Sequence, residues 1–194
     1  MKKTKQKVEL RLDWATHKAA KYDCENWHYS KCLPSGKLVK IGVWEDLRFI
    51  GVVIYALGAN ANISKLKGKT CELARIALTK HKTTVTRIVS ISIKLLQKKC
   101  PNLDAIVSYA DLDRHAGVIY KAGNWILDGH SKESFTVVKG RKVHGRSVYS
   151  KYGTRSIEWL RKNIDPKAHK IETKGKKRFV YYLRAVSKDN VATD

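Results

Sequence analysis

The side chains with most to offer a reaction fall in three short runs. His28-Tyr29-Ser30 sets an imidazole between an aromatic ring and a hydroxyl, and an imidazole titrates near neutrality, so it can take up or release a proton. Glu72-Leu73-Ala74-Arg75 places two charges in an otherwise apolar stretch, where a charge must be paired or bind an anion. Ser108-Tyr109-Ala110-Asp111 runs on to His115 and Tyr120, adding a carboxylate, a second imidazole and a phenol. Each has a plain structural alternative: Asp111 and Asp113 capping the next helix, His28 packing among Trp27 and Tyr29, Glu72 neutralising Arg75, Tyr120 packing on Trp125. His28, Asp111 and His115 are also the residues from which a His/carboxylate metal site would be drawn, although no local spacing links them.

The elements that must hold these groups follow from the apolar pattern. Cys71 to Leu78 reads as a largely buried strand and Thr79 to Thr84 as a polar loop; Ile88, Ile91, Leu95 and Leu96 then recur at helical spacing until Pro101. Leu103 to Tyr109 reads as a second buried strand, and residues 114 to 125 return to helical spacing through Val118, Ile119 and Ala122. Ligands of such a βαβα unit sit beyond the carboxyl ends of its strands, which sets Thr79–Thr86 and Ser108–His115 on one rim. The helix N-terminus at Thr83 to Arg87 offers backbone N–H groups suited to a phosphate, unless Thr83 or Thr84 simply caps it.

Upstream, Asp13 is the expected N-cap of a helix through Trp14, Lys18 and Tyr22, and Pro34 and Gly36 mark a turn. Leu38–Trp44 and Arg48–Tyr55 are expected to form a hairpin turning at Glu45-Asp46, followed by a polar loop, Gly58 to Gly68. Downstream, Phe135–Val138 and the basic run through Arg146 to Tyr149 read as a hairpin turning at Gly140. A capped helix, Ile157–Asn163, and a last strand at a sheet edge, Lys176–Arg184, complete the chain. One α/β domain over residues 1–194 is expected, with a basic arm at 1–8 and a flexible tail at 185–194.

Charge narrows the partner. The 194 residues carry 40 Lys and Arg against 17 Asp and Glu, a formal net charge of +23, and self-repulsion on that scale points to a polyanion. Double-stranded DNA is the expected partner. No apolar run approaches a membrane span, so a membrane is not expected. Arg141, Lys142, His144 and Arg146 are the densest candidates for phosphate contact, with Lys65 and Lys67 on a flanking loop and Tyr149, Lys151, Tyr152 and Arg155 extending the run. Four cysteines without paired spacing argue against a zinc ribbon, and the N-terminus has no secretion signal, so a cytoplasmic protein is expected, in a host cell if phage-encoded.

Two resemblances gather these residues. The order of elements, with Tyr120 and then Gly123-Asn124-Trp125, is similar to motifs A and B of the GCN5-related N-acetyltransferases (GNAT). It implies a GNAT-like fold, a central mixed, mostly antiparallel sheet flanked by helices. It also implies a loop that binds acyl-CoA pyrophosphate and a tyrosine at Tyr120 that protonates the leaving thiolate. A phenol is well suited to that step, because it is not ionised at neutral pH. His28-Tyr29-Ser30, Gly42-Val43-Trp44-Glu45, Glu72-Leu73-Ala74-Arg75, Ser108-Tyr109-Ala110-Asp111 and His115 to Ala122 resemble the phage Mom family of DNA modification proteins, over about residues 25 to 150.

That resemblance implies transfer of a carbamoylmethyl group to adenine N6, with the base flipped from the duplex, in defence against restriction enzymes. It makes His28, Tyr29, Ser30, Asp111 and Tyr120 catalytic and sets Arg75, Ile76, Ala77, Thr83, Thr84, Thr86 and Arg87 around the donor. Ser108, Tyr109 and His115 then face the substrate. The segment Lys80 to Arg87 contains none of the glycines usual in the acetyltransferase loop, and a carbamoylmethyl group is joined through a methylene carbon, whereas thioester aminolysis leaves an amide. An acyl-CoA-like donor and a metal ion both stay open. Other readings are an acyl-CoA-dependent N-acetyltransferase of a small molecule or protein, and a DNA-binding protein without enzymatic activity on the same scaffold.

Overall fold

The computed structural model describes residues 8–58, 68–131 and 134–184. The contacts group into two compact units. Of the described residues, the first takes those up to Ser108, Val118–Leu127 and those from Phe179 onward; the second takes Tyr109–Gly117 and Asp128–Arg178. In chain order the elements are β1 (Leu10–Trp14), α1 (His17–Trp27), β2 (Lys37–Glu45), β3 (Arg48–Leu57), β4 (Thr70–Leu78), α2 (Val85–Lys99), β5 (Ala105–Asp111) and α3 (Val118–Ala122). They continue with β6 (Ile126–Ser131), β7 (Phe135–Val138), β8 (Arg141–His144), α4 (Gly145–Tyr152), α5 (Ile157–Asn163), β9 (His169–Ile171) and β10 (Lys176–Tyr182). Seven strands are hydrogen-bonded in the order β1-β2-β3-β4-β5-β10-β6, and three in the order β8-β7-β9.

The first unit is built on β3. Ile50 to Ala56 is apolar throughout and buried, as a strand covered on both faces must be. It pairs antiparallel with β2 and β4, while β4 and β5 run parallel across α2. α1 lies on one face, where Ala20 and Cys24 meet Val52, Ile54 and Ala77. Tyr55 points to the other face, and its hydroxyl meets Ser92 of α2 at 2.7 Å. The register shifts at Ile54/Tyr55, leaving Ala74 without a partner on β3. Glu72 and Arg75, opposite Ala56 and Ile54, are thereby brought to the same face.

The second unit has the smaller core: Val138, Val148, Ile157, Leu160 and Ala168. Its hairpin turns through Lys139 and Gly140, both with positive φ, the two-residue turn expected at Gly140.

Five expectations about elements change. The segment with Asp13 is a strand, not a helix start; Thr16 is the cap, accepting from the Ala19 N–H at 3.1 Å. The helix expected over 114–125 shrinks to Val118–Ala122, because the Asp111 carbonyl takes the Arg114 and His115 N–H groups and Gly117 turns left-handed. Residues 145–152 are helical, capped by the His144 imidazole, so Arg146 to Tyr149 is not strand. β10 lies between β5 and β6, not at an edge, and β6 itself was not foreseen. Lys65 and Lys67, most of the arm and the tail lie outside the described residues.

Candidate functional site

In the first unit, three of the expected residues share one environment. Tyr120 is held on α3 with its ring stacked on Phe179 at 4.8 Å and edge-on to Trp125 at 5.3 Å. The helix ends at once in left-handed Asn124, which brings Trp125 back against the ring. Ser108 Oγ donates to the Leu73 carbonyl at 2.8 Å and also meets the Tyr120 hydroxyl at 2.8 Å. A serine hydroxyl has one proton, already committed to the carbonyl, so the phenol donates to Ser108. The line ends on a backbone carbonyl, which accepts a hydrogen bond but no proton; it orients Tyr120 and leaves a phenolic lone pair for a ligand.

Burial raises the Tyr120 pKa, and the charge of Glu72 adds to the rise. Tyr120 is thus protonated at neutral pH. Glu72, read from sequence as the partner of Arg75, has this second place in the site. Arg75 donates instead to the carbonyls of Ala74 (2.7 Å) and Cys32 (3.3 Å).

His28 is the C-cap of α1 and is buried. Its Nδ1 accepts from the Ser30 N–H at 3.1 Å and meets Ser30 Oγ at 2.8 Å. With Nδ1 an acceptor, the neutral ring carries its proton on Nε2. The ring of Tyr29 lies 4.2 Å away and is half exposed. His28, Tyr29 and Ser30 therefore form a rigid patch in which Ser30 sets the tautomer. Asp23, one helical turn before Trp27, is buried with Oδ2 lacking a hydrogen-bond partner, and burial pushes its pKa up to about 6. Nothing in its helical spacing distinguished it from a solvent-facing acid.

The expected donor residues divide. Ala77 is core, on the α1 face, and cannot touch a ligand. Thr84 is the N-cap of α2 but makes no side-chain cap bond, and Arg87 is exposed. Thr86 lines a cavity of about 180 Å³ whose walls include Val89, Ile119, Asn124, Trp125 and Tyr181. The Thr83 N–H is bound by the carboxylate of Glu45.

In the second unit, Asp111 organises its own turn: Oδ1 accepts from the Asp113 N–H at 3.1 Å and Oδ2 pairs with Arg114 at 3.3 Å. It is therefore not the cap of α3, and His115 beside it is exposed. Arg141 and Lys142 lie exposed on β8, with Lys142 Nζ 4.5 Å from the Phe135 ring centre. Arg146 and Tyr149 are exposed on α4, and the Arg155 guanidinium lies 5.5 Å from the Tyr149 ring. Among the described residues no group of three or more His, Cys, Asp or Glu side chains is placed to hold a metal ion. No helix among them is long and apolar enough to cross a membrane.

Comparison with known proteins matches this architecture. The model of the Mom protein family matches residues 9–193. Among solved structures, Arabidopsis thaliana NAA60 in complex with a bisubstrate analogue is similar with a TM-score of 0.54 and 11% identity, covering 91% of this chain and 100% of that one. NAA60 in complex with acetyl-CoA gives 0.52 and 12%, covering 90% and 99%. A spermidine N-acetyltransferase SpeG chimera from Vibrio cholerae and hSSAT gives 0.49 and 14%, covering 89% and 95%. No curated protein matches the sequence. The fold is GNAT-like, with the mixed, mostly antiparallel sheet expected.

Proposed function

The chain belongs to the Mom protein family, and on that footing we propose that it is a transferase placing a carbamoylmethyl group on N6 of adenine in duplex DNA. The modified base then escapes restriction enzymes. The observation that carries this reading is the Tyr120–Ser108–Leu73 hydrogen-bond line. It joins three segments that are distant in sequence, and each holds a motif of the resemblance.

Adenine N6 is a poor nucleophile, since its lone pair is delocalised into the ring, so it must be extruded, oriented and relieved of a proton. The phenolic oxygen of Tyr120 accepts a hydrogen bond from one N6–H and so aims the N6 lone pair. N6 then bonds to the methylene carbon of the group, and the bond from that carbon to the donor's leaving group breaks with its electron pair. The N6 proton passes to the Glu72 carboxylate. Tyr29, an exposed aromatic ring beside His28, supplies a face on which an extruded base can stack. The basic surface of the second unit takes the phosphates.

Digestion and mass analysis of nucleosides from cells expressing the protein tests this directly. A new adenine adduct heavier by one carbamoylmethyl group is the expected result. Unmodified DNA with acetyl-CoA turnover would instead indicate an N-acetyltransferase, and neither outcome would indicate a DNA-binding protein without enzymatic activity.

A further inference from the structure

Glu45 ends β2, and the turn at Asp46 and Leu47 presents it to the loop between β4 and α2. Its carboxylate is buried. It accepts the Lys82 N–H at 2.9 and 3.1 Å on its two oxygens, and the Thr83 N–H at 2.5 Å. The same hairpin holds the loop twice more: Arg48 donates to the Lys80 carbonyl at 2.6 Å, and Lys82 Nζ lies 3.5 Å from Asp46. Burial alone would raise the Glu45 pKa, but hydrogen bonds from Thr83 and Lys82 and the nearby His81 charge outweigh it and hold the group below the usual carboxylate range. A full negative charge therefore sits here at neutral pH.

Backbone amides leading into a long helix are where a phosphate would ordinarily be held, because N–H groups and the positive end of the helix dipole converge there. α2 has 15 residues and no acid in its first turn. Two of the amides before it are already spent on an internal carboxylate. A second anion arriving beside that charge would be repelled by it.

We infer that Glu45 is a specificity-determining residue that closes the β4–α2 loop to phosphate, so that the group donor carries no diphosphate held there. Coenzyme A thioesters and other nucleoside-diphosphate conjugates are thereby excluded as donors bound through this loop. The word donor rests on the transfer reading above; the closure of the loop does not.

The test is a titration of the ¹⁵N-labelled full chain with inorganic pyrophosphate and with coenzyme A, at a salt concentration that screens the general positive charge. In the unaltered protein the Lys82 and Thr83 amides should not shift saturably with either probe. In Glu45→Gln, which keeps the shape and removes the charge, both amides should respond, with affinity for pyrophosphate raised at least about tenfold, about 1.4 kcal/mol. Glu45→Ala should respond more strongly; if it does not fold, Glu45→Gln carries the comparison. Saturable shifts of these amides in the unaltered chain overturn the inference, and so does a folded Glu45→Gln that stays silent. Neither result bears on whether adenine is modified, which nucleoside analysis decides independently.

Discussion

Two aspartates show how differently the two units handle charge. Asp23, in the first unit, is packed beside the α1 core with one oxygen unsatisfied, and burial raises its pKa to about 6. Asp165, in the second, stays in water and accepts from the N–H groups of Lys139 (2.6 Å) and Lys167 (2.9 Å), which hold its pKa down. The first unit has apolar surface to spare, with Ile41, Val43, Ile50, Val52, Val53, Ile54 and Tyr55 all fully buried, and it can carry polar groups out of water at a cost. The second closes on a small core and keeps most of its charge outside, the part-buried ion pair of Asp128 and Arg178 excepted. Costly burial of polar groups is a mark of chemistry, and a basic exterior is a mark of phosphate contact.

The largest effect that would sharpen this contrast is at Tyr120. Tyr120→Phe removes one hydroxyl from the buried line and keeps the ring on Phe179 and Trp125. Adenine modification should fall by about 100-fold or more, while the melting temperature shifts by only the few degrees that a lost hydrogen bond of about 1 kcal/mol implies. An activity unchanged by the substitution would make the line structural and leave the first unit without its reactive centre.

Asp23 comes next. Its folded pKa lies above the ordinary value of 3.8, so its contribution to stability is fully present below about pH 4 and lost as pH rises through about 6. Asp23→Asn cannot ionise, and its stability relative to wild type should increase between pH 4 and 7 by about 2 kcal/mol. Denaturant unfolding at both pH values measures it. A difference that does not vary with pH would mean that Asp23 is no more buried in solution than Asp165.

On the second unit, reversal of Arg141 and Lys142 to Glu should weaken duplex binding by roughly tenfold near physiological salt and reduce the salt slope by up to about 1.8, two phosphate contacts' worth. Modification of free adenosine analogues, if any, should be untouched. An unchanged slope would put the DNA elsewhere.

What the sequence disclosed follows the same division. β3, β4 and α2 were legible because unbroken apolar runs and a helical period leave few alternatives for Ile50–Ala56 or Ile88–Leu96. β1 was not: Leu10 to Trp14 is a sheet-edge strand, half exposed, and Asp13 looked like a cap in the absence of its partner β2. α4 is not legible, because Val143 and Val148 suit a strand and the helix depends on a histidine cap that propensity does not rank. Of the candidate site, the motif segments could be named, but the Ser108 bond to Tyr120 and the grip of Glu45 on Thr83 belong to tertiary contacts that no local spacing encodes. Glu72 and Arg75 share a face only because of the bulge at Ala74, which no local spacing encodes.

The smallest effect contrasts the two hairpin turns. Asp46 and Leu47 have φ values of 47° and 66°, and Lys139 and Gly140 have 50° and 70°. Both are turns with two positive φ angles, in which glycine suits the second place. Gly140 supplies that signal; Leu47 does not, and its side chain is 84% exposed with no packing to justify the strain. A non-glycine residue in the left-handed region costs about 1–2 kcal/mol, partly offset by the greater unfolded-state freedom of glycine. Leu47→Gly should therefore stabilise the protein by up to about 1 kcal/mol. Gly140→Leu should destabilise the second unit by a similar amount, since a Cβ there would meet no atom within 4 Å and the backbone term dominates. Hydrogen exchange of the two hairpins measures both. If Leu47→Gly is destabilising, the tip of β2–β3 is held in place by more than its turn, and the hairpin that carries Glu45 has a second anchor.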